Sequence, residues 1–181
     1  MIKKLSSNLI NQIAAGEVVD DPKSIIKELL ENSIDANSKN IEIILYDGGL
    51  SKIIINDDGI GISKSDLPQA FERFATSKLE NLKDLSNINT LGFRGEALPS
   101  IASISEITLK SKTSKDVGNE IKFSFGKKVF LKPSNIEEGT SIEIKNIFNN
   151  VPARKKFLKS ENYEYRKILN LFKRFALCHY N

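Results

Sequence analysis

The chain has 181 residues, with 27 Lys and Arg against 23 Asp and Glu, which gives a formal net charge of +4. Its 40% hydrophobic and 28% charged residues are typical of a globular protein, and the length suits one domain or slightly more. The single cysteine and single histidine, Cys178 and His179, exclude a disulfide framework, a thiolate metal site and a paired-histidine metal site. No apolar run approaches the roughly 20 residues of a membrane span and no signal-peptide core follows Met1, so we expect a cytoplasmic protein without membrane contact.

The positive charge belongs to one end of the chain. Residues 1–150 carry 19 basic and 21 acidic side chains, whereas residues 151–181 carry 8 basic and 2 acidic ones. This basic tail either contacts an anion, docks a neighbouring domain or forms a solvated face. We favour docking or a solvated face over a dedicated DNA site.

The first half of the chain predicts helices around a β-hairpin. The proline that follows Asp20 and Asp21 suits a first helical position after capping residues, and the turn 47–49 separates two alternating apolar runs. The predicted elements are helices at about 6–17 and 22–35, hairpin strands at 41–45 and 52–56, and a helix from Ser63 or Ser65 through Phe71 and Phe74.

The second half predicts mainly strands. Residues 76–94 are polar and irregular, so they resemble a mobile loop, which ends in Gly92-Phe93-Arg94-Gly95 and opens a short helix toward Ile101. The predicted elements that follow are strands at about 104–112, 119–125, 127–132 and 140–146, and a helix from about 161 to 177. Consecutive strands with flanking helices predict an α+β two-layer sandwich.

The helix at 22–35 has an acidic face. Glu28, Glu31, Asn32 and Asp35 fall within an arc of about 100°, and the apolar side chains and Ser33 lie elsewhere on the helix. A solvated face is the ordinary interpretation of such a pattern. The alternative is a cation site, because like charges one turn apart repel, and the Asn32 carboxamide offers Mg²⁺ a neutral oxygen. A free carboxylate nearby could then deprotonate a water, and the spacing leaves open which carboxylate does so.

Two glycine-rich segments offer close backbone approach. Asp57-Asp58-Gly59-Ile60-Gly61 follows a strand, where Asp57 could accept a hydrogen bond from an exocyclic amine such as that of adenine. Glycines 92 and 95 enter a helix, whose backbone N–H groups favour phosphate, and Thr76-Ser77-Lys78 adds hydroxyls and a cation. Neither the P-loop pattern nor a complete G-x-G-x-x-G is present, so a P-loop enzyme and a Rossmann dehydrogenase are unsupported.

Several longer segments, taken in order, resemble the N-terminal ATPase region of the MutL family of DNA mismatch-repair proteins. They span nearly the whole chain and are far more specific than any short glycine pattern. The matching segments are residues 11–19 (NQIAAGEVV), 27–36 (KELLENSIDA), 57–62 (DDGIGI), 75–78 (ATSK), 92–98 (GFRGEAL), 139–140 (GT) and 150–158 (NVPARKKFL).

This resemblance implies a single domain over residues 1–181 with the Bergerat fold of GHKL ATPases, a mixed sheet covered by helices on one face. ATP and Mg²⁺ are the implied cofactors. Glu28 is the implied general base, Asn32 the Mg²⁺ ligand, and Asp57 the reader of the adenine amino group, with Gly61 and Thr140 beside it. The implied lid around the phosphates comprises Thr76, Ser77, Lys78, Gly92, Phe93, Arg94 and Gly95.

The resemblance also implies partners and a longer protein. Members of this family continue into a second domain, which contributes a lysine to the γ-phosphate, and into a C-terminal dimerisation domain. Without these regions we expect weakened turnover, dimerisation and DNA binding. The implied partners are a second copy, through the arm before Asn11, the mismatch-recognition protein MutS, and DNA at the nucleoid. Two departures, Asp58 for Asn and Phe74 for His, adjoin matched positions.

Two alternatives remain at the level of sequence. One is a switch module that binds nucleotide or DNA without turnover, with salt-dependent DNA binding through the basic tail. The other is a histidine-kinase ATPase domain from the same superfamily. The segments 92–98 and 152–158 disfavour the kinase, because they resemble the mismatch-repair family.

Overall fold

The computed structural model describes Lys3 and residues 7–78, 90–92 and 94–179. The helices are α1 (Ser7–Val18), α2 (Pro22–Asp35), α3 (Asp66–Gln69), α4 (Ala97–Ile104), α5 (Pro152–Lys155) and α6 (Glu161–Cys178). The strands are β1 (Ile41–Tyr46), β2 (Lys52–Asp57), β3 (Glu106–Lys112), β4 (Asn119–Ser124), β5 (Lys127–Pro133) and β6 (Gly139–Lys145). A short turn, Asp47–Gly49, in which all three residues have positive φ, lies between β1 and β2 at the predicted reversal.

The six strands form one sheet in the order β1-β2-β6-β3-β4-β5. Every pairing between neighbouring strands of the described chain is antiparallel. The predicted α+β class is confirmed, but strand direction differs from the mixed sheet that we expected. Three of the five pairings join strands consecutive in the chain, and short turns join antiparallel neighbours whereas parallel ones need a long crossover.

The core lies between one face of this sheet and the helices. Alternation along the strands places Ile53, Leu109 and Ile144 on the buried face, and Glu120 and Lys122 on the opposite face. The helical side of the core includes the buried side chains Ile25, Ile26, Leu29, Ile101 and Ile104. The predicted two-layer sandwich, with helices on one face, is therefore present.

Helix α2 begins at a cap joined to the C-terminal helix. Asp21 accepts hydrogen bonds from the Ser24 amide (2.7 Å) and the Ser24 hydroxyl (2.8 Å), and Pro22 takes the first helical position. Lys167 of α6 donates to the same carboxylate and also forms an ion pair with the buried Glu164, at 3.2 Å. Lys167 thus joins α6 to the start of α2, and the side chains of Arg166, Lys173 and Arg174 are exposed.

The helix predicted from Ser63 or Ser65 through Phe74 is shorter in the structure. Only Asp66–Gln69 is helical, and the Ser63 hydroxyl accepts from the Asp66 amide at 3.2 Å. Phe74 has a φ of 62°, and its amide donates to the Gly95 carbonyl at 3.0 Å. This long-range pairing redirects the chain before another helical turn can form.

Substitution of Asp21 tests the cap. Asp21→Ala removes the capping oxygen and the ion pair, so the free energy of unfolding should fall by about 1–2 kcal/mol. Asp21→Asn keeps a capping oxygen, so its loss should be smaller. Urea denaturation at neutral pH measures both, and equal losses would contradict a capping role.

The pH dependence of the stability lost in Asp21→Asn tests whether the negative charge of Asp21 stabilises the fold. Burial raises the pKa of Asp21, but hydrogen bonds from Lys167 and Ser24 outweigh it and hold the pKa below its ordinary 3.8. A depressed folded-state pKa gives stability that is complete above 3.8 and is lost as the pH falls through the folded value. The stability difference between wild type and Asp21→Asn should therefore shrink in buffers well below pH 3.8. A difference that stays constant would argue against the charge.

Candidate functional site

The first cluster of predicted site residues lies at the end of β2. Asp57 accepts a hydrogen bond from the Ser33 hydroxyl of α2 at 2.8 Å and another from the Gly59 amide at 3.0 Å. We call Asp57, Ser33 and Gly59 the Asp57 cluster. Ser33 is buried, so this bond ties the last turn of α2 to the sheet where the strand ends.

A row of polar side chains continues from the Asp57 cluster across the buried face of the sheet. Thr140 lies opposite Asp57 in the β2–β6 register, and Ser111 lies opposite Thr140 on β3. The hydroxyls of Ser111 and Thr140 are 2.9 Å apart, and Ser111 also accepts from the Ile62 amide at 2.8 Å. The structure thus brings Thr140 next to Asp57 across the β2–β6 pair.

Sequence reasoning missed Ser33 and Ser111 as members of this site. Ser33 was assigned to the apolar arc of α2, where a polar residue is itself a signal that a buried partner exists. Ser111 ends an alternating strand pattern at a buried position. Only the strand register, in which Ser111 lies opposite Thr140, makes it part of this site.

Gly61 closes the loop after β2. Its φ is 69°, and a Cβ there would lie 2.1 Å from the Lys112 carbonyl oxygen, so the backbones approach too closely for a side chain. Gly59 lies against the end of α2, where the Ile60 amide donates to the Ala36 carbonyl at 3.1 Å. The sequence-based interpretation of close backbone approach is therefore right for this loop.

The second cluster forms around Asn32 and Asp35, on the polar face of α2. The Lys78 ammonium donates to the Asn32 carboxamide oxygen at 3.0 Å and to the Asp35 carboxylate. Asp35 also accepts from the Leu91 amide at 2.9 Å and the Gly92 amide at 3.1 Å. We call these five residues the Asp35 cluster. It joins two segments that are separate in the sequence, one at Lys78 and one at residues 91–92.

The contacts of Asp35 determine its ionisation. Burial raises the pKa of this carboxyl, but the hydrogen bonds from Lys78, Leu91 and Gly92 outweigh burial and lower the pKa below the ordinary 3.8. The side chain is only 6% exposed. Asp35 is therefore an anion at neutral pH, neutralised mainly by Lys78.

The other two carboxylates of the α2 face share one lysine. Lys27 lies 3.2 Å from Glu28 and 2.8 Å from Glu31. Burial lowers the pKa of Lys27, but its contacts with Glu31 and Glu28 outweigh burial and raise it above 10.5. Glu28, one helical turn before Asn32, keeps 26% of its side chain exposed and Glu31 keeps 13%.

The remaining predicted loop residues lie near the Asp35 cluster in the chain. Thr76 accepts from the Lys78 amide at 3.2 Å, Ser77 and Arg94 are exposed, and Gly95 receives the Phe74 amide. Phe93 and residues 79–89 of the predicted loop lie outside the described residues, as do residues 1–2 and 4–6 of the N-terminal arm.

The donor set fits a magnesium ion that arrives with phosphates. The described residues contain no group of three or more His, Cys, Asp or Glu that could hold a metal by themselves. Asn32 supplies one neutral oxygen, and a Cβ on Gly92 would lie 3.6 Å from that oxygen, so Gly92 leaves space beside it. Mg²⁺ commonly binds this way, through one or two protein oxygens plus substrate phosphates and water.

A cavity of about 310 Å³ lies away from both clusters. Leu50 and Ser51, which precede β2, line this cavity. It therefore lies near the end of β2 that is opposite to Asp57. None of the predicted site residues lines it. Among the described residues, no helix has the length and apolarity needed to cross a membrane.

The sequence matches one family model and is similar to several named proteins. Residues 21–155 match the family model described as "Histidine kinase-, DNA gyrase B-, and HSP90-like ATPase". The chain is 51% identical over 179 residues to a protein named DNA mismatch repair protein MutL from Clostridium acetobutylicum, and 50% identical over 182 residues to its namesake from Christiangramia forsetii. These alignments cover 98% and 100% of this chain but only 29% and 30% of the relatives.

Solved structures give the same likeness. The structure titled "Aquifex aeolicus MutL ATPase domain complexed with ADP" aligns with a TM-score of 0.73 at 31% identity, over 88% of this chain and 56% of that one. Another, titled "Crystal Structure of N terminal domain of a DNA repair protein", aligns with a TM-score of 0.78 at 32% identity, over 93% of this chain and 48% of that one.

Alanine at Gly61 tests the close approach in the loop after β2. Gly126 is a matched control, because it also has a positive φ (82°) but a Cβ there would meet only the Ser103 Cα, at 3.8 Å. Gly126→Ala should lower the free energy of unfolding by about 1 kcal/mol, and Gly61→Ala by about 2 kcal/mol more, because the backbone must move. Urea denaturation compares the two, and equal losses would contradict the close approach.

Proposed function

Because the chain belongs to the family of histidine kinase-, DNA gyrase B- and HSP90-like ATPases, we propose that it binds and hydrolyses ATP as part of a MutL-type mismatch-repair protein. The observation that carries this proposal is the placement of two adjacent residues on α2. Ser33 bonds to Asp57 at the sheet, while Asn32 contacts Lys78 beside Gly92. One helix thereby links a candidate base pocket to a candidate phosphate site. The MutL relatives and the ADP complex of the Aquifex aeolicus domain support the choice of nucleotide.

The Asp57 cluster is our candidate for adenine recognition. A carboxylate has about four acceptor positions, and Ser33 and Gly59 use two of them. The remaining capacity suits the exocyclic amino group of adenine. Gly61 brings the loop backbone close to Lys112 and Gly139, and Thr140, which follows Gly139, supplies a hydroxyl in the strand paired with β2.

The Asp35 cluster and its neighbours are our candidates for phosphate binding. Lys78 supplies a cation, Thr76 and Ser77 supply hydroxyls, and the segment Gly92, Phe93, Arg94 and Gly95 precedes the N-terminal end of α4. Asn32 would hold Mg²⁺, which when bound supplies charge neutralisation to the phosphates.

Glu28 is our candidate for the general base. It is one turn from Asn32 on the same ridge of α2, so a water held near the metal ligand is within its reach. Its longer contact with Lys27 and its greater exposure support Glu28 over Glu31. The carboxylate would orient this water and accept its proton during attack on the γ-phosphate.

The partners that we propose for the whole protein follow from its relatives. They are a second copy joined when nucleotide binds, the mismatch-recognition protein MutS, and DNA. The chain spans less than a third of the length of the MutL relatives that we compare, so contacts through other regions remain compatible with this domain. The exposed basic side chains of α6 support at most a minor DNA contact here.

Glu28→Gln tests the base. With protein in excess over ATP, the single-turnover rate should fall by at least about 100-fold, because proton transfer to a positioned base is lost. ATP affinity measured by calorimetry should change little. Glu31→Gln is the matched control and should retain most of the rate. Unchanged turnover in Glu28→Gln would refute the role of Glu28, whereas wild-type binding without turnover would favour the non-hydrolysing switch module.

Asp57→Asn tests nucleotide recognition. An amide in place of the carboxylate presents a donor to the adenine amino group, so ADP affinity should fall by at least about tenfold. Asp58→Asn is the matched control, because an amide oxygen can still accept from the Lys39 and Asn40 amides, now at 2.7 and 2.9 Å. Calorimetric titration with ADP measures both variants. Equal affinities would argue against Asp57 as the base reader.

A further inference from the structure

The Lys78 ammonium occupies the oxygen that we assign to magnesium. It lies 3.0 Å from the Asn32 carboxamide oxygen and is bonded to Asp35. The Lys78 side chain is 20% exposed and Asp35 is 6% exposed. Because solvent screens this contact only partly, it holds the ammonium more firmly than a surface ion pair would.

Lys78 and a divalent metal cannot share the Asn32 oxygen. An ammonium and a divalent cation bound to one oxygen would lie within a few ångströms of each other, where like charges repel strongly. Mg²⁺ also requires a nearly ideal octahedron of oxygen ligands, in which an ammonium has no place. Binding of the metal at Asn32 therefore requires Lys78 to leave.

Asp35 fixes Lys78 in this position. Its carboxylate is itself held by the Leu91 and Gly92 amides, so it does not follow the lysine into solvent. On the same helix face Glu28 and Glu31 share the single ammonium of Lys27. Without the charge of Lys78, Asp35 and Asn32 would present anionic and neutral oxygens to any divalent ion.

The space beside Gly92 borders all three partners. A Cβ on this glycine would lie 3.4 Å from the Lys78 nitrogen, 3.6 Å from the Asn32 oxygen and 3.8 Å from an Asp35 oxygen. A phosphate at this position would meet the ammonium directly. Lysine has a flexible stem and three donors, so it can turn toward a phosphate oxygen and keep its bond to Asp35.

We propose that Lys78 is a placeholder cation, which excludes divalent metal from the empty site and releases the Asn32 oxygen only when phosphates attract it. Asp35 is the positioning residue of this exchange. The inference rests on the proposed function, since it assumes that phosphates and metal enter together. Its consequence is an order of events: the phosphates of the nucleotide first draw Lys78 away from the Asn32 oxygen, and only then can the metal bind to that oxygen.

Binding of Mn²⁺ without nucleotide tests the placeholder. Paramagnetic broadening of backbone amide signals in the ¹⁵N-labelled 181-residue protein reports where the ion binds and how tightly. Lys78→Met should bind Mn²⁺ at least about tenfold more tightly than wild type, with broadening centred on residues 28–35, because the competing cation is gone. Lys78→Arg should restore exclusion. Lys64→Met, which removes an exposed lysine elsewhere, should behave like wild type.

Equal Mn²⁺ affinity in wild type and Lys78→Met would overturn the proposal, as would tightening of the same size in Lys64→Met. Should Lys78→Met lose its dispersed spectrum, Lys78→Gln takes its place. None of these measurements requires nucleotide binding, so they can succeed or fail independently of the proposed ATPase.

The wild-type protein provides a second measurement. The ε-carbon signal of Lys78, assigned by its absence in Lys78→Arg, should shift when ADP and Mg²⁺ are added together and should stay unchanged with Mg²⁺ alone. A shift with Mg²⁺ alone would overturn the placeholder. Absence of any ADP binding, with the Mn²⁺ results as expected, would refute the proposed function and leave the exclusion of free metal standing.

Discussion

The hydrogen bond between Ser33 and Asp57 is the constraint on which the rest of the site depends. It is formed at 2.8 Å between a buried hydroxyl on α2 and a carboxylate at the last residue of β2. Because a buried hydroxyl without a partner is costly, this bond acts with the buried side chains Ile25, Ile26, Leu29 and Leu30 to set the rotation of α2 over the sheet. The rotation determines which segments the polar side chains of the helix face. With Ser33 turned toward the sheet, Asn32 and Asp35 face the segments at Lys78 and Gly92. The orientation of α2 therefore sets the position of both clusters.

The charges of the α2 face are largely offset by the protein itself. Lys27 is shared by Glu28 and Glu31, and Lys78 pairs with Asp35 while it contacts Asn32. Two lysines thus reduce the repulsion among three carboxylates, which would destabilise an isolated helix, and leave one negative charge on this face. In the basic tail, Lys167 likewise pairs with Asp21 and Glu164.

Much of this architecture could be predicted from local patterns. The cap at Asp21, the length of α2, the hairpin and the alternating strands depend on nearby residues, and the structure agrees with them within a few positions. The helix predicted through Phe74 was too long, because a pairing between Phe74 and Gly95 competes with helix continuation. The order of the strands, β1-β2-β6-β3-β4-β5, is not visible in local patterns, since it depends on contacts between distant segments. Ser33 was placed among apolar neighbours, and its partner is 24 residues away.

The sequence by itself determined the family, the α+β class and the residue types of the site, because motifs and hydrophobic periodicity are properties of the linear sequence. It also showed that the positive charge lies in the last 31 residues. Only the tertiary structure decided how the clusters are assembled: that Ser111 stands beside Thr140, that Asp35 binds both Lys78 and the 91–92 backbone, and that an ammonium lies on the Asn32 oxygen. The reason is physical, since these contacts join residues tens of positions apart, and packing of α2 on the sheet brings them within hydrogen-bonding distance.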